Sequence, residues 1–240
     1  MASVRKTVEN GLAHHKAGRL AEAESCYQAA LEQETDNVDA THLLGVILSE
    51  TGNAEDAIPL IEKAAGRSPN RANIQINLGN AYSAANRPAD AVNAYQRATE
   101  IVPNDVDALH RLATAYSELA QYDDAATVLK KAIVVDPGHG PLYMALGVAF
   151  KNAGKLKEAE NLYRDILEEV PGYAEASANL AVVLQKQGRI DEAIKRYRDA
   201  ISLKSEYFRQ ATINLAATGK GKIWLNLEQA KESLLPSPPK

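Results

Sequence analysis

The residues with the plainest capacity for chemistry are five histidines, one cysteine and a Gly-Lys-Gly-Lys string, and the spacing of each withholds the reaction it suggests. His14 and His15 are neighbours and so diverge around a helix, His42 and His110 stand far apart, and His139 precedes Gly140-Pro141. Cys26 is alone, so it can build neither an internal disulfide nor a multi-thiolate zinc centre. Gly219-Lys220-Gly221-Lys222 lacks the upstream glycine and the following Ser or Thr of a phosphate loop, and no His-Glu-x-x-His or Gly-x-Ser-x-Gly occurs. The sequence therefore predicts no catalytic residue, no metal, no cofactor and no enzymatic activity. What remains are side chains suited to holding a ligand. Asparagine amides offer donors and an acceptor together and can pair with any peptide main chain.

The elements that must position such groups follow from an internal repeat. Self-comparison gives a period of ~34 residues, a length that implies stacked helical hairpins. Without gaps the chain divides into Val4–Asn37, Val38–Arg71, Ala72–Asp105, Val106–His139, Gly140–Tyr173 and Ala174–Tyr207. One position carries Ala23, Ala57, Ala91, Ala125, Ala159 and Ala193; the eighth carries Gly11, Gly45, Gly79, Ala113, Gly147 and Ala181. Small residues at both places let two antiparallel helices approach closely. Larger partners fill the surrounding space: Leu44, Leu78, Leu112, Leu146 and Leu180 on the first helix, and Tyr27, Ile61, Tyr95, Leu129, Tyr163 and Tyr197 on the second. The spacing of Leu109, Leu112, Ala113 and Tyr116 is that of an amphipathic helix. Gly18, Gly52, Gly154 and Gly188 sit where a left-handed residue closes the first helix; Asn86 tolerates that geometry and Ala120 departs from the pattern. Pro69, Pro103, Pro137 and Pro171 end the second helix at a fixed offset. Pro59 falls inside a second helix, where it predicts a local kink.

These Leu-Gly, Tyr, Ala and Pro landmarks resemble the tetratricopeptide repeat family over roughly the first 207 residues. The resemblance implies an all-α, right-handed superhelix, with first helices lining a concave groove and second helices forming the back. Residues 1–217 would be the repeat array, with 208–217 as a capping helix. Residues 218–240 would be an extension ending in Pro236-Ser237-Pro238-Pro239-Lys240, with Trp224 outside the repeats and 223–235 able to pack on the cap or dock on another molecule.

Under that resemblance the groove is lined by the second, fifth, sixth, ninth, twelfth and thirteenth positions of each repeat. The candidate partner-binding residues are His42, Asn77, Asn80, His110, Arg111, Met144, Asn179 and Asn214. Asn77 and Asn179 are equivalent, and Asn214 follows them after a one-residue insertion. The spacing is similar to the asparagine ladder in the repeat arm of O-GlcNAc transferases, although Leu43, Arg111 and Ala145 interrupt it. The array departs from domains that clamp a chaperone's terminal carboxylate, since Ile76 and Met144 stand where those would place lysine.

Composition restricts the partner. A net charge of −4 with interspersed signs gives no field for nucleic acid or an anionic membrane. No run approaches the ~18 apolar residues of a membrane span. Together with the single cysteine this predicts a cytoplasmic, non-catalytic scaffold or adaptor that holds a protein or peptide. Two alternatives share the fold: an arm recruiting substrates for a glycosyl-, sulfo- or methyltransferase, and a scaffold that assembles with its own copies as a homo-oligomer.

Overall fold

The computed structural model describes residues 3–216, 234 and 235. Among them are thirteen helices and no strand. They run α1 Val4–Lys16, α2 Leu20–Gln33, α3 Val38–Glu50, α4 Ala54–Arg67, α5 Ala72–Ala84, α6 Pro88–Ile101, α7 Val106–Glu118, α8 Tyr122–Val135, α9 Gly140–Asn152, α10 Leu156–Glu169, α11 Ala174–Lys186, α12 Ile190–Leu203 and α13 Tyr207–Ala216. The chain forms two compact units, Met1–Val135 and Asp136–Lys240. The first holds four helical hairpins, α1 to α8; the second holds two hairpins, α9 to α12, followed by α13. In each unit, the second helix of a hairpin also contacts the first helix of the next.

The hairpins close for a reason visible atom by atom. A Cβ built on Gly79 would lie 2.5 Å from Tyr95 Cε1, and one on Gly147 would lie 2.6 Å from Tyr163 Cε1. The tyrosine ring thus fills the volume that a side chain on the first helix would need. The core passes from repeat to repeat in the same way: Ile61 of α4 joins Ile74 and Leu78 of α5, Tyr95 of α6 and Leu112 of α7 in one cluster. Ile47, Ile61 and Ile74 are fully buried, each worth about 1.5–3 kcal/mol of transfer free energy.

Every hairpin turn repeats one hydrogen bond, in which the N–H of Arg19, Asn53, Arg87, Gln121, Lys155 or Arg189 donates to the carbonyl of His14, Leu48, Tyr82, Tyr116, Phe150 or Leu184. This is the Schellman closure, and it needs a left-handed residue just before the donor. Ala120 departs from the sequence pattern only in type. Its φ is 58°, beside 56° for Asn86 and 72° to 89° for the four glycines of the other turns. Helix starts are capped more unevenly: the side chains of Asn37 and Asp105 accept from the N–H of Ala40 and Ala108 at 2.9 and 3.0 Å.

Pro59 does not interrupt its element. α4 is one continuous helix from Ala54 to Arg67 with Pro59 in its second turn. The bond that proline cannot donate would have gone to the carbonyl of Glu55. Both residues are exposed, so solvent can serve that carbonyl. The capping helix expected at 208–217 is α13, Tyr207–Ala216. Leu234 is buried and Leu235 exposed, whereas Trp224 and the remainder of 223–235 lie outside the described residues.

Candidate functional site

In the first unit, four of the eight candidate residues meet in one hydrogen-bonded run across three successive first helices. Asn77 Nδ2 on α5 donates to His42 Nε2 on α3 at 2.9 Å. Asn80 Nδ2, one turn along α5, donates to Asn77 Oδ1 at 3.5 Å, the weakest link. Asn80 Oδ1 accepts from Arg111 Nη1 on α7 at 3.1 Å and from the Tyr95 hydroxyl on α6 at 2.7 Å. Arg111 is completed by Asp107, whose Oδ2 accepts from Nε at 2.7 Å. The run exists because repeats place the fifth, sixth and ninth positions of adjacent first helices side by side.

The direction of these bonds is determined. A guanidinium only donates, so Arg111 fixes which atom of Asn80 is oxygen, and the order carries through Asn77 to the imidazole. His42 Nε2 must accept, which makes His42 neutral with its proton on Nδ1. Its burial agrees: at 3% exposure, desolvation is the main cause that lowers it to about 4, with Arg71 adding to the effect and Asp39 opposing it.

His110 joins Asn80, Tyr95, Asp107, Arg111 and Thr114 in lining a cleft of about 380 Å3 at one end of the run. At the other end, His42, Leu43, Asp39 and Arg71 border a cleft of about 610 Å3 that reaches Arg5 and Leu12 of α1. His42 is therefore a buried anchor more than an exposed contact. The same holds for Met144 of α9, which is 5% exposed in the second unit. Its fifth position turns into the core there.

Asn179 and Asn214 belong to the second unit, where both line a third cleft of about 410 Å3 beside α9, α11 and α13. Lys151 Nζ donates to Asn179 Oδ1 at 2.8 Å, and Gln210 Nε2 donates to Asn214 Oδ1 at 2.9 Å. Asn214 Nδ2 bonds the Tyr197 hydroxyl at 3.0 Å. Sequence reasoning passed over Lys151 and the tyrosine hydroxyls. The signal was present for Lys151, which occupies the twelfth position of its repeat, but its worth depends on burial that spacing does not show.

Several other titratable groups pair with one another. His15 Nε2 and Glu50 Oε2 meet at 2.8 Å between α1 and α3, and Arg19 Nε donates to His14 Nδ1 at 2.9 Å. Glu160 receives Arg189 at 2.7 Å and Gln187 at 2.9 Å, tying α10 to the turn between α11 and α12. Among the described residues no three His, Cys, Asp or Glu converge as a metal site, and no helix is long and apolar enough to cross a membrane.

Sequence profiles described as tetratricopeptide repeat match residues 8–72, 50–115, 83–149 and 152–206. No curated protein matches the sequence. Among solved structures, MamA is 25% identical with a TM-score of 0.64, covering 69% of this chain and 91% of its own. YrrB, described as a TPR protein with an unusual peptide-binding site, is 21% identical with a TM-score of 0.66, covering 80% and 96%. A tetratricopeptide repeat protein from Parabacteroides merdae is 19% identical with a TM-score of 0.69 and covers 97% of both chains. The periodic small residues, the Schellman turns and the profile matches across most of the length lead to one assignment: this chain belongs to the tetratricopeptide repeat family.

Proposed function

We propose that this protein is a non-catalytic interaction module that holds an extended peptide segment of a partner against the first helices of its N-terminal unit, in a cytoplasmic setting. The observation that carries the reading is the run from His42 through Asn77 and Asn80 to Arg111, flanked by a cleft at each end. Each amide nitrogen in the run spends one N–H on its neighbour and retains another. Asn77 and Asn80 are half-buried, so those groups sit where a main chain can reach them while part of the competing water is excluded. Such a grip is indifferent to ligand sequence. Selectivity then comes from the clefts, one bordered by Leu43 and Leu12, the other by His110 and Arg111. The peptide-binding site named for YrrB lends support from the same family.

The test is an array of extended peptides probed with the wild type and with an Asn77→Ala, Asn80→Ala, Arg111→Ala triple variant. Binding by the wild type and its loss by a variant that keeps its helical signal supports the reading. Retention of every wild-type spot by the folded variant sinks it.

A further inference from the structure

The cleft beside α9, α11 and α13 in the second unit is built differently from the amide run of the first, and it carries its own inference. Its central group is the Lys151 ammonium, half-buried on the last turn of α9. Of the three N–H groups it can offer, one is given to Asn179 Oδ1 at 2.8 Å, and among the described residues no carboxylate lies within 4.0 Å. A desolvated cation with a neutral amide as its partner is short of an anion, because a buried charge is costly unless it is paired.

The surroundings say what kind. Asn179 has its oxygen committed to Lys151, so its amide N–H groups remain to be used; Gln210 and Asn214 continue the polar wall from α13. Ala178 and Val182 give the cleft an apolar stretch one helical turn long. Glu175, an exposed side chain in the otherwise buried first turn of α11, also lines it, and Lys186 acts on Lys151 from the other end of that helix. Burial is the main cause holding the Lys151 ammonium below the ordinary lysine range; the repulsion from Lys186 comes next and outweighs the attraction of Glu175. Lys186 and Glu175 thus act on Lys151 in opposite senses, and neither pairs with it directly.

The geometry points to the Lys151, Asn179 and Gln210 cleft as a subsite for an acidic side chain of a bound peptide, its carboxylate on Lys151 and Asn179 and its methylenes against Ala178 and Val182. A side-chain carboxylate fits better than a terminal one, because the apolar stretch next to the ammonium matches an aliphatic stem ending in charge. The inference extends the peptide-holding reading to the second unit, but it stands on separate residues and is tested without the first unit's ligand.

The full chain is titrated with N-acetyl-glutamate amide, N-acetyl-glutamine amide and N-acetyl-alanine, following the side-chain amide signals of Asn179 and Gln210 and the ε-carbon of Lys151 by NMR. The expected result is saturable shifts from the glutamate probe, with the other two roughly tenfold weaker. Lys151→Gln should weaken the glutamate probe by roughly tenfold, whereas Glu175→Gln, which touches an exposed side chain, should tighten it about threefold. Equal shifts from glutamate and glutamine probes overturn the inference, as does weaker binding in Glu175→Gln. Preference for N-acetyl-alanine overturns the choice of a side-chain carboxylate. None of these outcomes bears on the peptide array of the first unit, so the two readings fail separately.

Discussion

Gly79 and Tyr95 occupy one space: a Cβ on the glycine would stand 2.5 Å from the ring carbon Cε1 and 2.8 Å from Cζ. The far edge of that ring carries the hydroxyl that holds Asn80, so the contact that closes the third hairpin also sets the position of a candidate ligand contact.

Replacing Gly79 by Ala should therefore cost about 1–3 kcal/mol of stability through overpacking. Adding Tyr95→Leu, the pairing that the fourth repeat shows as Ala113 and Leu129, should recover most of that loss while leaving Asn80 without its hydroxyl partner. Urea unfolding of the two single variants and the double variant, read as a cycle, checks the coupling.

Ala120 is exposed and left-handed at φ 58°. No packing is lost by shortening it, so Ala120→Gly should raise stability by about 0.5–1 kcal/mol as the Cβ strain is relieved and partly offset by the looser unfolded chain. An unchanged denaturation midpoint would show the turn to be unstrained.

His42 has a folded-state value of about 4 against an ordinary 6.5, lowered first by burial. Below pH 6.5 the unfolded chain takes up a proton that the native imidazole refuses. Stability from this group is thus whole above that pH and falls away as pH drops towards 4, by about 3 kcal/mol in all. Unfolding free energies measured from pH 7 to 4 should show that slope in the wild type and a shallower one in His42→Asn.

Tyr27 and Tyr163 bury hydroxyls that find no partner among the described residues, while Tyr95 and Tyr197 at the same repeat position are bonded to Asn80 and to Gln185 and Asn214. The ninth residue decides part of this: it is Leu12 and Val148 beside the orphans and Asn80 beside Tyr95. Tyr163→Phe should then be neutral or stabilising by about 1 kcal/mol, and Tyr197→Phe destabilising by about 1–2 kcal/mol. Thermal melts of both variants decide it; equal losses would contradict the accounting.

The helices and their turns were legible because each rests on a residue type repeated at one spacing. Gly45, Gly79 and Gly147 mark close approach, and Pro69, Pro103 and Pro171 mark helix ends. The run of Asn77, Asn80 and Arg111 was legible as residues but not as a connected object, since its bonds join side chains that are neighbours only after the hairpins stack. His42 and Met144 show the limit of counting positions. Both occupy the fifth position of their repeats and both are buried, whereas His110 at the same position is only partly covered. Lys151 was missed for a related reason: a lysine near a helix end reads as solvated unless the third dimension supplies the desolvation.

Arg111 has one further effect. Because a guanidinium cannot accept, it imposes an order of donors and acceptors that runs from α7 back to α3 and ends in the tautomer of His42. A peptide strand is itself polar, with its N–H and C=O groups in a fixed sequence from one terminus to the other. Laid along this run, its two orientations would not be equivalent. The guanidinium at one end would thereby choose which way a ligand chain reads, without contacting most of it.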